Sequence, residues 1–284
     1  SIAWNDSLFM ESWEVKCVSD TRPPFYEITE VKPLNNATPH ALFIDLGASA
    51  SDVWVVNDGY WGIAVTEGQR YNFQFYLFTE ELKNTVVTAA LLDCEEQIVV
   101  SKNFQIERDG SWNHYEGAFT VDTTANDLRF ALLLPHKGKV YIDFVSMFPE
   151  NTFCGHKNGL REDVAGMLRD LRPDFVRWPG GCIVEGLTMD NRIKWKETIG
   201  DIVKRPGEYN LWGYRSTYGF GYHEFLQFCE DIDADGLFVC NAGMSCLFRN
   251  GDYWEEENRI DNLIQDALDA VEYALGDTTT VYGK

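Results

Sequence analysis

The sequence has no CxxC cysteine pair, no long apolar run and few cations, and each shortage argues against a class of function. Its seven cysteines, at positions 17, 94, 154, 182, 229, 240 and 246, never take the spacing of a zinc finger or ribbon, so a structural zinc site is not expected. The odd count leaves at least one thiol unpaired in a monomer. Cys229 and Cys240 fall in apolar segments, where a buried thiol is the usual case. No stretch approaches the ~20 apolar residues of a membrane span. Lys and Arg number 24 against 45 Asp and Glu, a formal net charge of -21. Such a surface repels phosphate backbones, anionic membranes and anionic sugars. It argues against nucleic-acid and membrane partners and suits a neutral polysaccharide, while also serving solubility. No signal-peptide pattern is visible, Ser1 is not an initiator Met, and location stays open, with secretion or a periplasm favoured. Asn5 and Asn36 begin Asn-X-Ser/Thr tripeptides, a pattern that also arises by chance.

Aromatics, by contrast, are plentiful at 14%, with nine Trp. Aromatic faces stack on sugar rings, but cores use them too. The 284 residues have room for two domains.

Residues 1–149 read as strands. Tyr71, Phe73, Phe75 and Leu77 alternate with Asn72, Gln74 and Tyr76, the period of a half-buried strand. Similar runs occur at 40–46, 52–56, 62–65, 85–93, 97–106, 114–121, 128–134 and 140–147. Turn signals at Asn57-Asp58-Gly59, Glu67-Gly68, Asp109-Gly110 and Lys137-Gly138 separate them. Many short strands at regular spacing indicate an antiparallel β-sandwich of jelly-roll type. Trp54, Tyr60, Trp61 and Trp112 could form a sugar platform there, although Trp54 and Trp61 beside strands are read rather as core.

Residues 150–284 change pattern. Leu160, Val164, Met167, Leu168 and Leu171 share a helical face. Residues 174–178 and 236–241 read as short buried strands, and 222–233 as a helix. Residues 259–275 form the clearest helix, with Ile260, Leu263, Ile264, Ala267, Leu268, Val271 and Leu275 on one stripe and Gly276 ending it. Strands alternating with helices imply parallel βαβ units and the first part of a (β/α)8 barrel. Two visible strands of such a barrel would leave sheet edges and apolar surface exposed, so association with another copy, or instability of this half, is expected.

Function in such a barrel gathers at the C-terminal ends of its strands. Arg177 ends the first strand and is expected to meet a carboxylate or a polar cleft. Gly180-Gly181 permits a sharp turn and close backbone approach. Asn241 follows the second strand, where it either contacts a ligand or bonds loop backbone. Glu185 lies in the loop after the first strand, open to sugar, a salt bridge or solvent. Glu224 reads as a structural partner within its helix, and Glu255-Glu256-Glu257 as an acidic first helical turn.

The run 175–186 (FVRWPGGCIVEG) resembles the signature of α-L-arabinofuranosidases of glycoside hydrolase family 51. Segments 195–200 (WKETIG), 205–207 (RPG), 211–214 (LWGY), 219–227 (GFGYHEFLQ) and 241–245 (NAGMS) agree in order and spacing. The resemblance is close over 150–284. Residues 1–149 resemble, less sharply, the carbohydrate-binding-like sandwich of one branch of that family. It implies a (β/α)8 barrel with β-domains and release of terminal α-L-arabinofuranosyl units from arabinan or arabinoxylan. The implied mechanism is retaining, with two carboxylates ~5–5.5 Å apart and no metal or organic cofactor. Arg177 matches the family's active-site Arg, and Trp212 an aromatic of the arabinose pocket. Cys182 stands where members carry Asn or Cys. The family's acid/base is a Glu after an Asn; this sequence has no Asn-Glu dipeptide. The resemblance thus places the first barrel strand before Ser1 and both catalytic carboxylates beyond Lys284. The expected substrate contacts are Arg177, Cys182, Glu185, Trp212 and Asn241. A non-catalytic carbohydrate-binding protein, or another retaining barrel glycosidase such as a xylanase, are the alternatives.

Overall fold

The computed structural model describes residues 12–19, 23–48, 51–107, 110–254 and 256–283. Asn5 lies outside them, and Asn36 is exposed. The chain divides into two compact units, Ser1–Glu162 and Asp163–Lys284.

The first unit carries two sheets. One runs in the order β1 (Trp13–Cys17), β4 (Val53–Asn57), β10 (Ala125–Leu134), β7 (Thr85–Leu92) and β8 (Ile98–Ile106), with β5 (Ile63–Val65) also pairing with β10. The other runs β2 (Phe25–Thr29), β3 (Ala41–Asp45), β11 (Lys139–Pro149), β6 (Arg70–Thr79) and β9 (Trp112–Thr120). Every pairing within them is antiparallel. Alternation along β6 holds: Tyr71, Phe73, Phe75 and Leu77 are buried, and the residues between them are not. Phe73 stacks on Phe119 at 4.3 Å and Phe75 on Tyr115 at 5.2 Å, so β6 and β9 face the core as a pair. Gly59, Gly68, Gly110 and Gly138 turn at positive φ where the turn signals fell. The strands β1 and β2 have no counterpart among the runs singled out in the sequence.

In the second unit, β12 (Phe175–Trp178) and β15 (Asp235–Phe238) pair in parallel, with Arg177 opposite Leu237 and Trp178 opposite Phe238. Around them lie α1 (Glu162–Asp170), α2 (Gly181–Glu185), α3 (Tyr222–Asp231) and α4 (Glu257–Leu275). Two-residue strands β13 (Glu208–Tyr209) and β14 (Arg215–Ser216) pair antiparallel around the turn 210–214. Trp178 packs with Tyr222, Phe225 and Phe238 in an aromatic cluster that also takes in Trp195, Cys229 and Ala270.

Two expectations are corrected here. Neither parallel strand is buried: Phe175, Arg177 and Leu237 are exposed. A parallel strand buries both faces only when covered on both, and among the described residues only the α3 side of this pair is covered. Cys240, just past β15, is exposed for the same reason, whereas Cys229 on α3 is buried. The apolar stripes of α1 and α4 are exposed, in line with the apolar surface expected of a barrel half with two visible strands. Val164, Met167, Leu168 and Leu171 are exposed, as are Ile264, Leu268, Val271 and Leu275. In α4 the buried side chains are Leu263, Asp269 and Ala270. Polar anchors fix that rotation: the Trp195 indole N–H donates to Asp266 O at 2.9 Å, Tyr222 Oη donates to Ala270 O at 3.0 Å, and Lys196 reaches both Asp266 and Asp269. Small Ala270 lets the Tyr222 ring approach the helix.

Phe75 is fully buried between the sheets. Phe75→Ala is expected to cost about 3–5 kcal/mol of sandwich stability. The check is a lower urea midpoint with an unchanged denaturant slope.

Candidate functional site

Strand period decides where Arg177 goes. Trp178 and Val176 turn toward the cluster around α3, so Arg177 and its register partner Leu237 turn to the opposite face. There the guanidinium is exposed and makes no ion pair or hydrogen bond with any described residue. In a closed (β/α) barrel that face is the interior, where substrate-facing side chains project at the C-terminal ends of the strands. A cis Trp178–Pro179 peptide and Gly180 at φ 106° then lead the chain into α2.

Cys182 and Glu185 sit on α2, both half-buried. The loop 241–254 is laced against them. Asn241 Nδ2 donates to Val184 O at 2.9 Å and to Met244 O at 3.0 Å, while Asn241 Oδ1 accepts from Gly243 N at 2.7 Å. Its amide is therefore engaged in shaping the loop, the second of the two readings open for it. Cys246 N donates to Gly186 O at 3.1 Å, and Met189 N to Asp252 Oδ2 at 3.2 Å. Gly186 holds φ 75° and has backbone of Asn191 and Arg192 2.6 Å from where a Cβ would stand, so only glycine fits this crossing. These ties bring Cys246, which the sequence offered no reason to single out, against Cys182. A hydrogen bond with Cys246, then burial, pushes the Cys182 thiol above its ordinary range.

Trp212 lies in the turn between β13 and β14, exposed, its backbone N–H donating to Asn210 Oδ1 at 2.8 Å. The Arg249 guanidinium rests over its ring at 5.0 Å and also acts electrostatically on Cys182. Arg249 thus links the Trp212 turn to the α2 corner. Of the five residues expected at the site, Cys182 and Glu185 lie side by side on α2 with ligand atoms within 4.8 Å, Trp212 is linked to Cys182 through Arg249, Asn241 supports the same corner, and Arg177 stands on the strand that leads into it.

Carboxylates nearby have other duties. Glu224 accepts from Arg205 at 2.8 and 2.9 Å and from Gly221 N at 2.9 Å. Arg205, almost wholly buried, also donates to Gly200 O and Tyr218 O. Glu224 is the structural partner its position suggested. Burial alone would raise its carboxyl, but the Arg205 bonds and the Gly221 N–H outweigh that and hold it below its ordinary 4.5. Glu208 moves the other way, raised by burial despite the Asn191 amide at 2.7 Å. Helix α4 opens with Glu257, with Glu256 at its N-cap, in keeping with an acidic first turn; Glu255 lies outside the described residues.

In the sandwich, Trp54 packs half-buried over Val56, Ala90, Leu92 and Ala131, and Trp112 anchors Pro33 O through its indole N–H at 3.1 Å. Trp61 is 96% exposed, and Tyr60 beside it is exposed too, so the core reading of Trp61 does not hold. A separate polar groove of about 580 Å³ is lined by Arg70, Gln74, His114, Glu116 and Lys157, among others. No described helix is long and apolar enough to cross a membrane.

Comparison with known proteins bears on both units. A family model described as Alpha-L-arabinofuranosidase 1 domain matches residues 167–284. An extracellular exo-alpha-L-arabinofuranosidase from Streptomyces chartreusis is 34% identical over 254 residues, covering 85% of this chain and 30% of that protein. Alpha-L-arabinofuranosidase 1 of Arabidopsis thaliana is 34% identical over 239 residues, covering 84% and 34%. The solved structure of arabinose-bound MgGH51 α-L-arabinofuranosidase superposes with a TM-score of 0.84 at 26% identity, covering 95% of this chain and 43% of that one. The chain thus spans about a third of the length of these curated relatives. Sandwich, parallel βα pair and matches together place the chain in a class of glycoside hydrolases assembled from β and (β/α) parts. Within that class the chain belongs to the α-L-arabinofuranosidases of glycoside hydrolase family 51.

The Arg205–Glu224 pair carries a pH signature. A carboxyl lowered by folding adds stability that is fully present above its unfolded value, near 4.5, and is lost as pH falls through the lower folded value. Below about pH 4.5 the second unit is therefore expected to lose stability. Glu224→Gln should lower its stability at pH 7 by about 1.5–3 kcal/mol and flatten the acid dependence, read from near-UV circular dichroism melts against pH.

Proposed function

We propose that this chain supplies part of the arabinose-binding face of a retaining α-L-arabinofuranosidase acting on arabinan, arabinoxylan or their oligosaccharides. The observation that carries the reading is Arg177: a charged side chain at a strand end, turned to the face away from α3, with no partner among the described residues. A guanidinium so placed suits a carboxylate or sugar hydroxyls, which its planar donor fork binds in pairs. Trp212 offers an exposed ring for the sugar's apolar face, steadied by Arg249. Cys182 and Glu185 would line the same pocket, with Asn241 holding its rim.

Glycosidic cleavage with retention needs one carboxyl to protonate the leaving oxygen and another to attack the anomeric carbon. Two carboxylates of this unit are committed elsewhere, Glu224 to Arg205 and Glu208 to Asn191, and so do not serve as that pair. With no Asn-Glu dipeptide in the sequence, both catalytic groups are assigned outside residues 1–284. The extracellular relative supports action outside the cell. The exposed apolar faces of α1 and α4 support association, with further barrel strands or with another copy.

The adjacent exposed rings of Tyr60 and Trp61 favour a second, compatible role, in which the sandwich holds polysaccharide by stacking. Trp61→Ala is then expected to lose retention in affinity electrophoresis on arabinoxylan, and unchanged retention would remove this role.

The main reading is tested by hydrolysis of a chromogenic α-L-arabinofuranoside. The assay compares the 284-residue chain with one extended through further βα units. Activity is expected only in the extended chain, and Arg177→Ala there should lower kcat/KM by about a hundredfold or more. Full activity in the shorter chain, or indifference to Arg177, would overturn it.

A further inference from the structure

Three soft or anionic ligand atoms converge at the α2 corner. Cys182 Sγ, Cys246 Sγ and a carboxylate oxygen of Glu185 all lie within 4.8 Å of one another. They form the only such group of metal-ligating side chains among the described residues. Cys182 and Glu185 are three residues apart on α2, so their side chains leave the same helix face. Cys246 arrives from the loop 241–254, and backbone as well as side-chain bonds hold it there: its own N–H to Gly186 O, Asn241 to Val184 O, and Met189 N–H to Asp252. Cys246 is buried while Cys182 and Glu185 are half-buried, so one side of the cluster is closed and the other opens to solvent.

We propose that Cys182, Glu185 and Cys246 form a binding site for a thiophilic divalent cation of the Zn²⁺ type, held by two thiolates and one carboxylate oxygen with one coordination position open. The inference goes beyond the glycosidase reading and does not depend on it. Zinc takes thiolate at about 2.3 Å and carboxylate at about 2.0–2.2 Å in a tetrahedron. Ligand atoms then stand roughly 3.3–3.8 Å apart, a contraction of about 1 Å that side-chain rotation can supply. Thiolate donors select zinc-like ions over magnesium or calcium. Charges also close: two thiolates and a carboxylate bring three negative charges, the cation two positive, and Arg249, which acts on Cys182, the remaining one. As the two metal–sulfur bonds form, each thiol releases its proton to solvent; no electron is transferred. The wide sequence separation of Cys182 and Cys246, with no CxxC spacing, hides the site from motif reading.

The test is a titration of the reduced, metal-free 284-residue chain with Co²⁺ under anaerobic conditions. The expected result is one equivalent giving thiolate-to-cobalt charge-transfer absorption, displaced by Zn²⁺. Cys182→Ser and Cys246→Ser should abolish the band. Glu185→Gln should weaken binding at least as much as losing an outer-shell partner does, about 10–100-fold. A variant with the exposed Cys94, Cys154 and Cys240 changed to Ser should keep the band intact. If a cluster variant fails to fold, alkylation of the wild-type chain decides: Zn²⁺ should protect Cys182 from iodoacetamide while Cys94 and Cys240 stay reactive. No band in the wild type, a band surviving in Cys182→Ser, or no protection by Zn²⁺ would overturn the proposal.

Discussion

The indole of Trp178 lies against Phe225, Phe238 and Tyr222, with ring centroids 5.8, 6.0 and 6.1 Å away, and the second unit is organised around that contact. It holds β12 to α3 and, through Phe238, to β15. Tyr222 carries the same cluster on to Trp195 and Tyr273, and so to α4. Because side chains alternate along a strand, committing Trp178 to this cluster commits Arg177 to the other face. The chemistry-bearing side of the strand is thereby set by an apolar contact on its far side.

Backbone approach is as constraining as side-chain packing here. Gly221 has Thr198 O only 1.9 Å from where a Cβ would stand, so any larger residue at the start of α3 would drive apart the segments that carry Arg205 and Glu224. Gly186 plays the same part where α2 meets the segment around Asn191. The corner holding Cys182 is thus bounded by the chain crossing at Gly186, with Asn241 tying another side. Geometry at that corner rests on main-chain contacts more than on the polar side chains that could do chemistry.

How far the sequence revealed this varied with the length of the signal. Strands such as β6, ten residues long with one face against the core, were plain from alternation. The five-residue β2 carries no such pattern, since Phe25, Tyr26 and Glu27 are all exposed, and it passed unnoticed. Apolar runs at β12 and β15 signalled strands correctly but overstated their burial, because hydrophobicity reports what a residue would cover, not what lies opposite. On α4 the Leu and Val stripe was outweighed by Trp195, Tyr222 and Lys196 bonding to the other side, an arrangement of partners remote in sequence. Arg177 was identifiable from its place at a strand end. Cys246 and Arg249 were not, since only the folded loop sets them beside Cys182 and Trp212.

The sheet orders have a consequence for how the sandwich is made. Strand β10 lies between β4 and β7, and β11 between β3 and β6, so the central strand of each sheet is among the last to leave the ribosome. Until then β3 and β4 each lack their inner neighbour, and the hairpin β7–β8 and the pair β6–β9 each wait with their inner edge unpaired. During synthesis the unit is a pair of half-sheets holding open apolar slots, closed by two consecutive strands, one entering each sheet, that arrive last.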